Sequence, residues 1–150
     1  MSSTSGPSLA RWTALTALEL NIGVHAALTP MHLDEMFYIG VLFCVGNAVL
    51  FLAMALLMSE RRRALGWLLA AATSAAELAA FVASRTVGLP RGYHETWTAQ
   101  PEDLLGLVCV ATDVIVIVAA AYLTRRALRV GAPASPLDRN RSSLPAALSM

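Results

Sequence analysis

The chain has 150 residues, of which 57% are apolar and 14% charged, and its formal net charge is +1. An average soluble domain carries roughly 25% charged residues, so a water-soluble globule of this size lacks the polar surface it would need. The near-neutral charge, with no basic stripe interleaved with aromatics, speaks against a nucleic-acid partner, and the length suits one domain.

Residues 1–8 (MSSTSGPS) are small and polar and predict a disordered cytoplasmic N-terminus. A first apolar segment follows over about 9–28. It is the weakest of four, because Glu19, Asn21 and His25 interrupt it, and Pro30 is expected to close it. A cleaved signal peptide is the poorer reading of this segment, since Arg11 is its only positive flank and Glu19 breaks its apolar run. The second segment, 36–58, is almost wholly apolar; the third covers 64–84 and the fourth 104–123. Each approaches the ~20 residues that a helix needs to cross ~30 Å of hydrocarbon. Helices are required because lipid offers backbone groups no partners outside their own helix. The expected fold is therefore an all-α membrane protein, a four-transmembrane-helix up-down bundle over residues 9–125. A disordered, basic cytoplasmic tail is expected over 126–150.

Arginine placement predicts the orientation, since all the basic residues other than histidine are arginine. Arg11, Arg61, Arg62, Arg63, Arg125, Arg126, Arg129, Arg139 and Arg141 fall on one side of a four-span chain, and Arg85 and Arg91 on the other. The positive-inside rule then puts both termini and the SERRR turn in the cytoplasm of a plasma membrane. The outer side receives a 29–35 turn and an acidic 85–103 loop.

A charge at the bilayer centre costs at least ~2.5–3.5 kcal/mol, so ionisable residues inside such segments point to function. Here they are Glu19, Glu77 and Asp113, joined by Asn21, His25 and Asn47. At ~1.5 Å per residue, His25, Asn47, Glu77 and Asp113 fall between mid-membrane and the outer third, one from each segment, with Glu19 nearer the cytoplasm. Asn21 and His25 share a helix face, as do Cys44 and Asn47, Thr73 and Glu77, and Cys109 and Asp113. Such stripes should meet in the bundle centre. Interhelical hydrogen bonding alone would explain one asparagine; three acids and a histidine exceed what that needs.

The outer mouth should carry His32, Glu35, Arg85, His94 and Glu95. His25, His32 and Glu35 are a candidate divalent-metal set by ligand chemistry, although a seven-residue histidine spacing across Pro30 matches no established pattern. Haem between helices would need two facing histidines at membrane depth, and only His25 lies clearly that deep. Arg85 is expected either to snorkel outward or to turn inward onto Glu77 or Asp113. Gly88 can cap the third helix and Pro90 forbids its continuation. Cys44 and Cys109 read as small apolar residues, with a disulfide left open. Among catalytic motifs, GxSxG, HExxH, CxxC and phosphate loops are all missing.

Several strings together resemble a group of small four-helix membrane proteins common in actinobacteria. They are His25, Pro30, His32 and Glu35 as H…P-x-H-x-x-E, the SRTVGLP string at 84–90 (an SRTxGLP loop motif), and Pro101, Glu102, Gly106, Leu107 and Asp113 in the fourth segment. The resemblance covers roughly residues 15–125. It implies the four-helix topology and draws attention to these positions, and it supplies no reaction.

Three functions compete on these residues. The first is a binding or accessory protein for a cation or small lipophilic ligand, as a homo-oligomer or beside a larger membrane complex. The second is an enzyme acting on a lipid or isoprenoid-like substrate, with Glu77 or Asp113 as acid and His25 as base. The third is a small oligomeric transporter. Convergence of the histidines with a carboxylate would favour binding, an enclosed apolar cavity above the acids would favour the enzyme, and a polar track reaching Glu19 would favour transport.

Overall fold

The computed structural model describes residues 5–98 and 100–131. The described residues are all-helical apart from loops and one isolated β-bridge between Leu89 and Tyr93. The helices are α1 (Ser5–Glu35), α2 (Phe37–Met58), α3 (Arg63–Thr86) and α4 (Pro101–Gly131), with a single 3-10 turn at Pro90–Gly92. Phe37–Met58, Arg63–Thr86 and Pro101–Ala127 are each long and apolar enough to cross a membrane, which marks the chain as a membrane protein. At 31 residues α1 has the length, but it is not one of these three: Arg11, Glu19, Asn21 and His25 dilute its apolar content.

Two boundaries differ from the sequence expectation. First, α1 does not stop at Pro30. It runs to Glu35, so the expected 29–35 turn shrinks to Met36, the one residue between α1 and α2, with φ −152° and ψ 97°. Pro30 has no N–H to donate, yet neighbouring helices support the chain on either side of it, where Leu28 and His32 are buried. The Thr29 hydroxyl adds a 2.7 Å bond to the His25 carbonyl. Second, the outer helices are longer than predicted. α1 starts at Ser5 and α4 continues to Gly131, so 5–8 and 126–131 are helical where disorder was expected. Residues 1–4 and 132–150, including Arg139 and Arg141, lie outside the described residues. α4 starts at Pro101 because proline suits the first helical position, and Glu102 and Asp103 complement the positive end of its dipole.

Each helix packs on its neighbours in the chain, and α4 returns to pack on α1, closing a ring. The end bearing Met36 and the 87–100 loop is called the loop end below; the end bearing Ser59–Arg62 is the turn end. α1 and α2 run antiparallel. Leu33 lies against Gly40 at the loop end, and the Arg11 guanidinium bonds the Leu57 carbonyl at 3.1 Å at the turn end. That cation caps the negative end of α2.

The apolar core occupies the half nearer the turn end. Leu18, Leu50, Leu57 and Val116 are completely buried there, packed with Trp67 and several alanines. α2 and α3 approach closely at Gly66, where a Cβ would sit 2.9 Å from the Leu57 nitrogen and 3.1 Å from the Ala53 oxygen. Backbone atoms cannot yield as a side-chain tip can. Gly66→Leu should therefore cost about 1–3 kcal/mol by overpacking, measured as reversible unfolding in detergent micelles. Unchanged stability would show that α2 and α3 do not pack at this point.

At the loop end, α3 closes through Gly88, whose φ of 79° lies in the left-handed region and whose N–H bonds the Ala83 oxygen at 2.8 Å. The glycine cap expected from SRTVGLP is present. The loop then folds back on the helices. Leu89 donates to the Tyr93 carbonyl, Glu95 N–H reaches the Ser84 carbonyl, and the Tyr38 hydroxyl of α2 bonds the Pro90 carbonyl at 2.5 Å.

Candidate functional site

A polar layer lies directly above the apolar core. Asn21 of α1, fully buried, uses both amide hydrogens: Nδ2 donates to Asp113 of α4 at 2.8 Å and to Glu77 of α3 at 3.1 Å. Asp113 and Ser74 are also buried, and the Ser74 hydroxyl lies beside Asp113. α2 contributes Gly46, where a Cβ would come within 2.8 Å of Glu77 Oε1; glycine here leaves room for the carboxyl. Three of the expected site residues are thus brought together by three helices. The layer is rich in acceptors and poor in donors. The Asn21 Oδ1 atom is buried without a partner, as is Asn47 Oδ1 on α2, and no arginine bonds either carboxyl among the described residues.

His25 sits one turn of α1 above Asn21. Its Nδ1 faces the Asn21 backbone oxygen at 3.2 Å and Cys109 Sγ at 3.8 Å, so that nitrogen is turned away from the carboxyls. The Phe43 ring separates His25 from His32, with centroids 4.7 Å and 4.5 Å away. His32 Nδ1 lies 3.4 Å from Glu35 and 3.3 Å from the Tyr93 hydroxyl. The candidate metal set of His25, His32 and Glu35 is therefore split by an aromatic ring, and among the described residues no three His, Cys, Asp or Glu groups gather as ligands. Cys44 is exposed, Cys109 is buried, and both are free thiols, so they do not pair.

Glu19 is not part of the layer. It is exposed on the outer face of α1, because two residues along a helix is a rotation of about 200° and Asn21 faces inward. No polar track leads from the layer toward it, since Leu18, Leu50 and Val116 fill the space beneath.

Arg85 governs the loop end. It does not reach Glu77 or Asp113. Its Nη1 pairs with Glu95, its Nη2 lies 3.2 Å from Asp103, and its guanidinium stacks 3.9 Å from the Phe81 centroid and 4.9 Å from that of Trp97. Asp103 also accepts from the Thr98 N–H at 2.7 Å and the Thr98 hydroxyl at 2.8 Å. Tyr93 donates to Glu95 at 2.5 Å. Burial, and then that bond to a carboxylate, hold its phenol well above the ordinary tyrosine range, so it remains a donor. Asp103, Tyr93, Trp97 and Phe43 were not singled out in the sequence. The Glu102-Asp103 pair at a helix start was visible as a dipole signal; the aromatics carried no signal beyond hydrophobicity.

Two cavities meet at this cluster. One, of about 490 Å³, opens at the loop end and is bordered by His32, Glu35, His94, Glu95, Glu102 and Asp103, with Cys109 among its deeper residues. His94 is exposed at its rim. Four carboxylates against the single Arg85 make this vestibule acidic. The other, of about 440 Å³, is an apolar groove between α2 and α3 lined by Leu42, Val45, Val49 and Ala80, and it reaches Glu77. Phe43, Phe81, Arg85, Tyr93 and Glu95 border both. Comparison with family models, curated proteins and solved structures found no match to this chain.

Proposed function

We propose that the chain is a four-span up-down helical bundle of the plasma membrane, with both termini cytoplasmic, and that it binds a small lipophilic cation presented from the outer side. The topology is supported by the two faces of the ring. Among the described residues, Arg11, Arg61, Arg62, Arg63, Arg125, Arg126 and Arg129 belong to the turn end and only Arg85 and Arg91 to the loop end, which the positive-inside rule reads as turn end inward. Although α1 is less apolar, it shares the buried core and supplies Asn21, so it belongs in the bilayer with its partners. The resemblance to small four-helix membrane proteins also implies four spans.

The ligand class rests on one observation: a pair of adjacent carboxyls bridged by an asparagine amide, with no basic partner among the described residues, reached by an apolar groove of about 440 Å³. Small-ligand sites are mostly apolar cavities of ~300–1,000 Å³ with a few placed polar groups. Here the polar group at the inner end of the groove is the Glu77 carboxyl, Arg85 at its border is already paired with Glu95 and Asp103, and aromatic rings of Phe43, Phe81 and Tyr93 border the route. A cation with apolar substituents satisfies both features, the charge meeting Glu77 and the rings, the substituents meeting α2 and α3. Two observations weigh against the other functions. The Nδ1 atom of His25 is taken up by the Asn21 carbonyl and Cys109 and makes no hydrogen bond to either carboxyl, which weakens the acid–base pair of the enzyme reading, and the apolar core beneath the layer gives transport no polar path to the inner side.

The test compares tetraphenylphosphonium with tetraphenylborate, which have the same shape and opposite charge, on the purified protein in nanodiscs. The phosphonium should bind saturably and the borate should not, and Glu77→Gln should weaken phosphonium binding at least about tenfold, the equivalent of ~1.4 kcal/mol. Equal binding of the two ions, or an unaltered Glu77→Gln protein, would remove the cation reading.

A further inference from the structure

The polar layer uses Asn21 and leaves Glu19 on the opposite side of α1, exposed. Its depth follows from the packing. With Leu33 against Gly40 and Arg11 against Leu57, Glu19 is level with the middle third of α2, a helix that is itself long and apolar enough to cross a membrane. A carboxyl at that depth facing hydrocarbon is costly. Among the described residues nothing hydrogen-bonds or ion-pairs with it, and Arg11, the nearest cation along the helix, is engaged by the Leu57 carbonyl. The surface around Glu19 includes the exposed apolar residues Trp12 and Leu20, but it is less uniformly apolar than the exposed sides of α2 and α4, which present Leu42, Val45, Phe51, Val114 and Val118. It carries Thr16 one turn below, Gly23 one turn above, then Ala27, all exposed on one face. A Cβ built on Gly23 meets nothing within 4 Å, so a second helix can approach the backbone there.

We infer that this face of α1 is the contact between two copies of the chain, related by a two-fold axis along the membrane normal. The inference rests on the four-span reading, which sets the depth of Glu19. A two-fold contact must be complementary to itself, and this one is. Parallel α1 helices crossing at Gly23 and Ala27 bring the Thr16 hydroxyl of each copy to the Glu19 carboxyl of the other, a donor for each acceptor. Small residues at the crossing permit that approach, and interhelical hydrogen bonds take the place of lipid contact that cannot satisfy a carboxyl. A basic helix from a different protein would also meet Glu19, but would leave Thr16 without a role.

The experiment uses the full chain in lipid vesicles, with Cys44→Ser and Cys109→Ser as background. Oxidative cross-linking through Gly23→Cys should trap dimers, whereas Leu52→Cys, on the exposed side of α2, should not. With the native cysteines retained, energy transfer between labelled copies should report self-association weakened about tenfold or more by Glu19→Ala and by Gly23→Leu. Glu19→Gln, which still hydrogen-bonds, should stay paired. Since both positions are exposed, the helical signal of these variants should match the parent. A monomeric parent chain, or cross-linking through position 52 in place of 23, overturns the pairing. Reaction of Thr16→Cys with an aqueous maleimide would instead overturn the four-span reading beneath it.

Discussion

Arg85→Ala should lower stability by more than the ~0–1 kcal/mol of a surface ion pair and by less than the ~3–5 kcal/mol of a fully buried one. The Arg85 side chain is only 9% exposed and Asp103 11%. Removal leaves Glu95 and Asp103 without their shared cation, and it takes the guanidinium from the Phe81 and Trp97 rings. The loss combines three contacts that hold α3, the loop and α4 together, so a surface-pair cost of ~0–1 kcal/mol is too small to describe it. Thermal unfolding in detergent would register the change, and limited proteolysis would show faster cleavage in the 87–100 loop. Arg85→Lys should fall between, because an ammonium cannot bridge two carboxylates with a planar fork or stack as well on the rings. Arg85→Ala combined with Glu95→Gln and Asp103→Asn should recover part of the loss by removing the stranded charges. If the single and triple variants unfold alike, the cluster owes its stability to ring packing and not to charge.

Asn21→Leu should be the other severe change, at about 2–4 kcal/mol. The two hydrogen bonds it removes are modest in lipid, averaging ~0.6 kcal/mol each, so they are the smaller share. The larger share comes from Glu77 and Asp113, which lose their common donor while staying buried; since they keep each other and Asp113 keeps Ser74, the loss is about that of one stranded group, ~1–3 kcal/mol. That division makes a second prediction possible. Asn21→Leu with Glu77→Leu and Asp113→Leu should be more stable than Asn21→Leu alone, since an apolar layer of similar volume strands nothing. Equilibrium unfolding of the parent, the single and the triple variant in one detergent decides it. A triple variant weaker than the single would mean that the layer is held by interactions other than the asparagine bridge. The triple variant should also lose phosphonium binding, which separates the stability of the layer from its use.

Some of the site was legible before any coordinates. Asn21, Glu77 and Asp113 stood out because each polar group interrupts an apolar helix of spanning length, and that cost is local to the segment. Their shared depth followed from counting residues. Glu19 passed as part of the same set because depth says nothing about rotation; only the two-residue offset from Asn21 separates them, and it mattered once the inward face of α1 was known. Pro30 looked like a helix end because isolated helices do break there. It lies inside α1 because neighbouring helices hold Leu28 and His32 on either side of it.

Arg85 was located correctly at the loop end, but its partners were not. The choice between Glu77, Asp113, Glu95 and Asp103 depends on the path of the 87–100 loop, which is set by Gly88, by the Tyr38 bond to Pro90 and by the Thr98 contacts to Asp103. The candidate metal set is not gathered for a similar reason, since nothing in the spacing of His25 and His32 could place the Phe43 ring of α2 between them. The sequence by itself determined that this is a helical membrane protein, which segments have spanning length, and which polar groups they carry. Those properties follow from the cost of burying each residue, which every segment meets alone. Only the tertiary structure decided which polar groups meet, because that depends on the rotation of each helix and on the fold of one loop, and both are set by contacts between residues far apart in the chain.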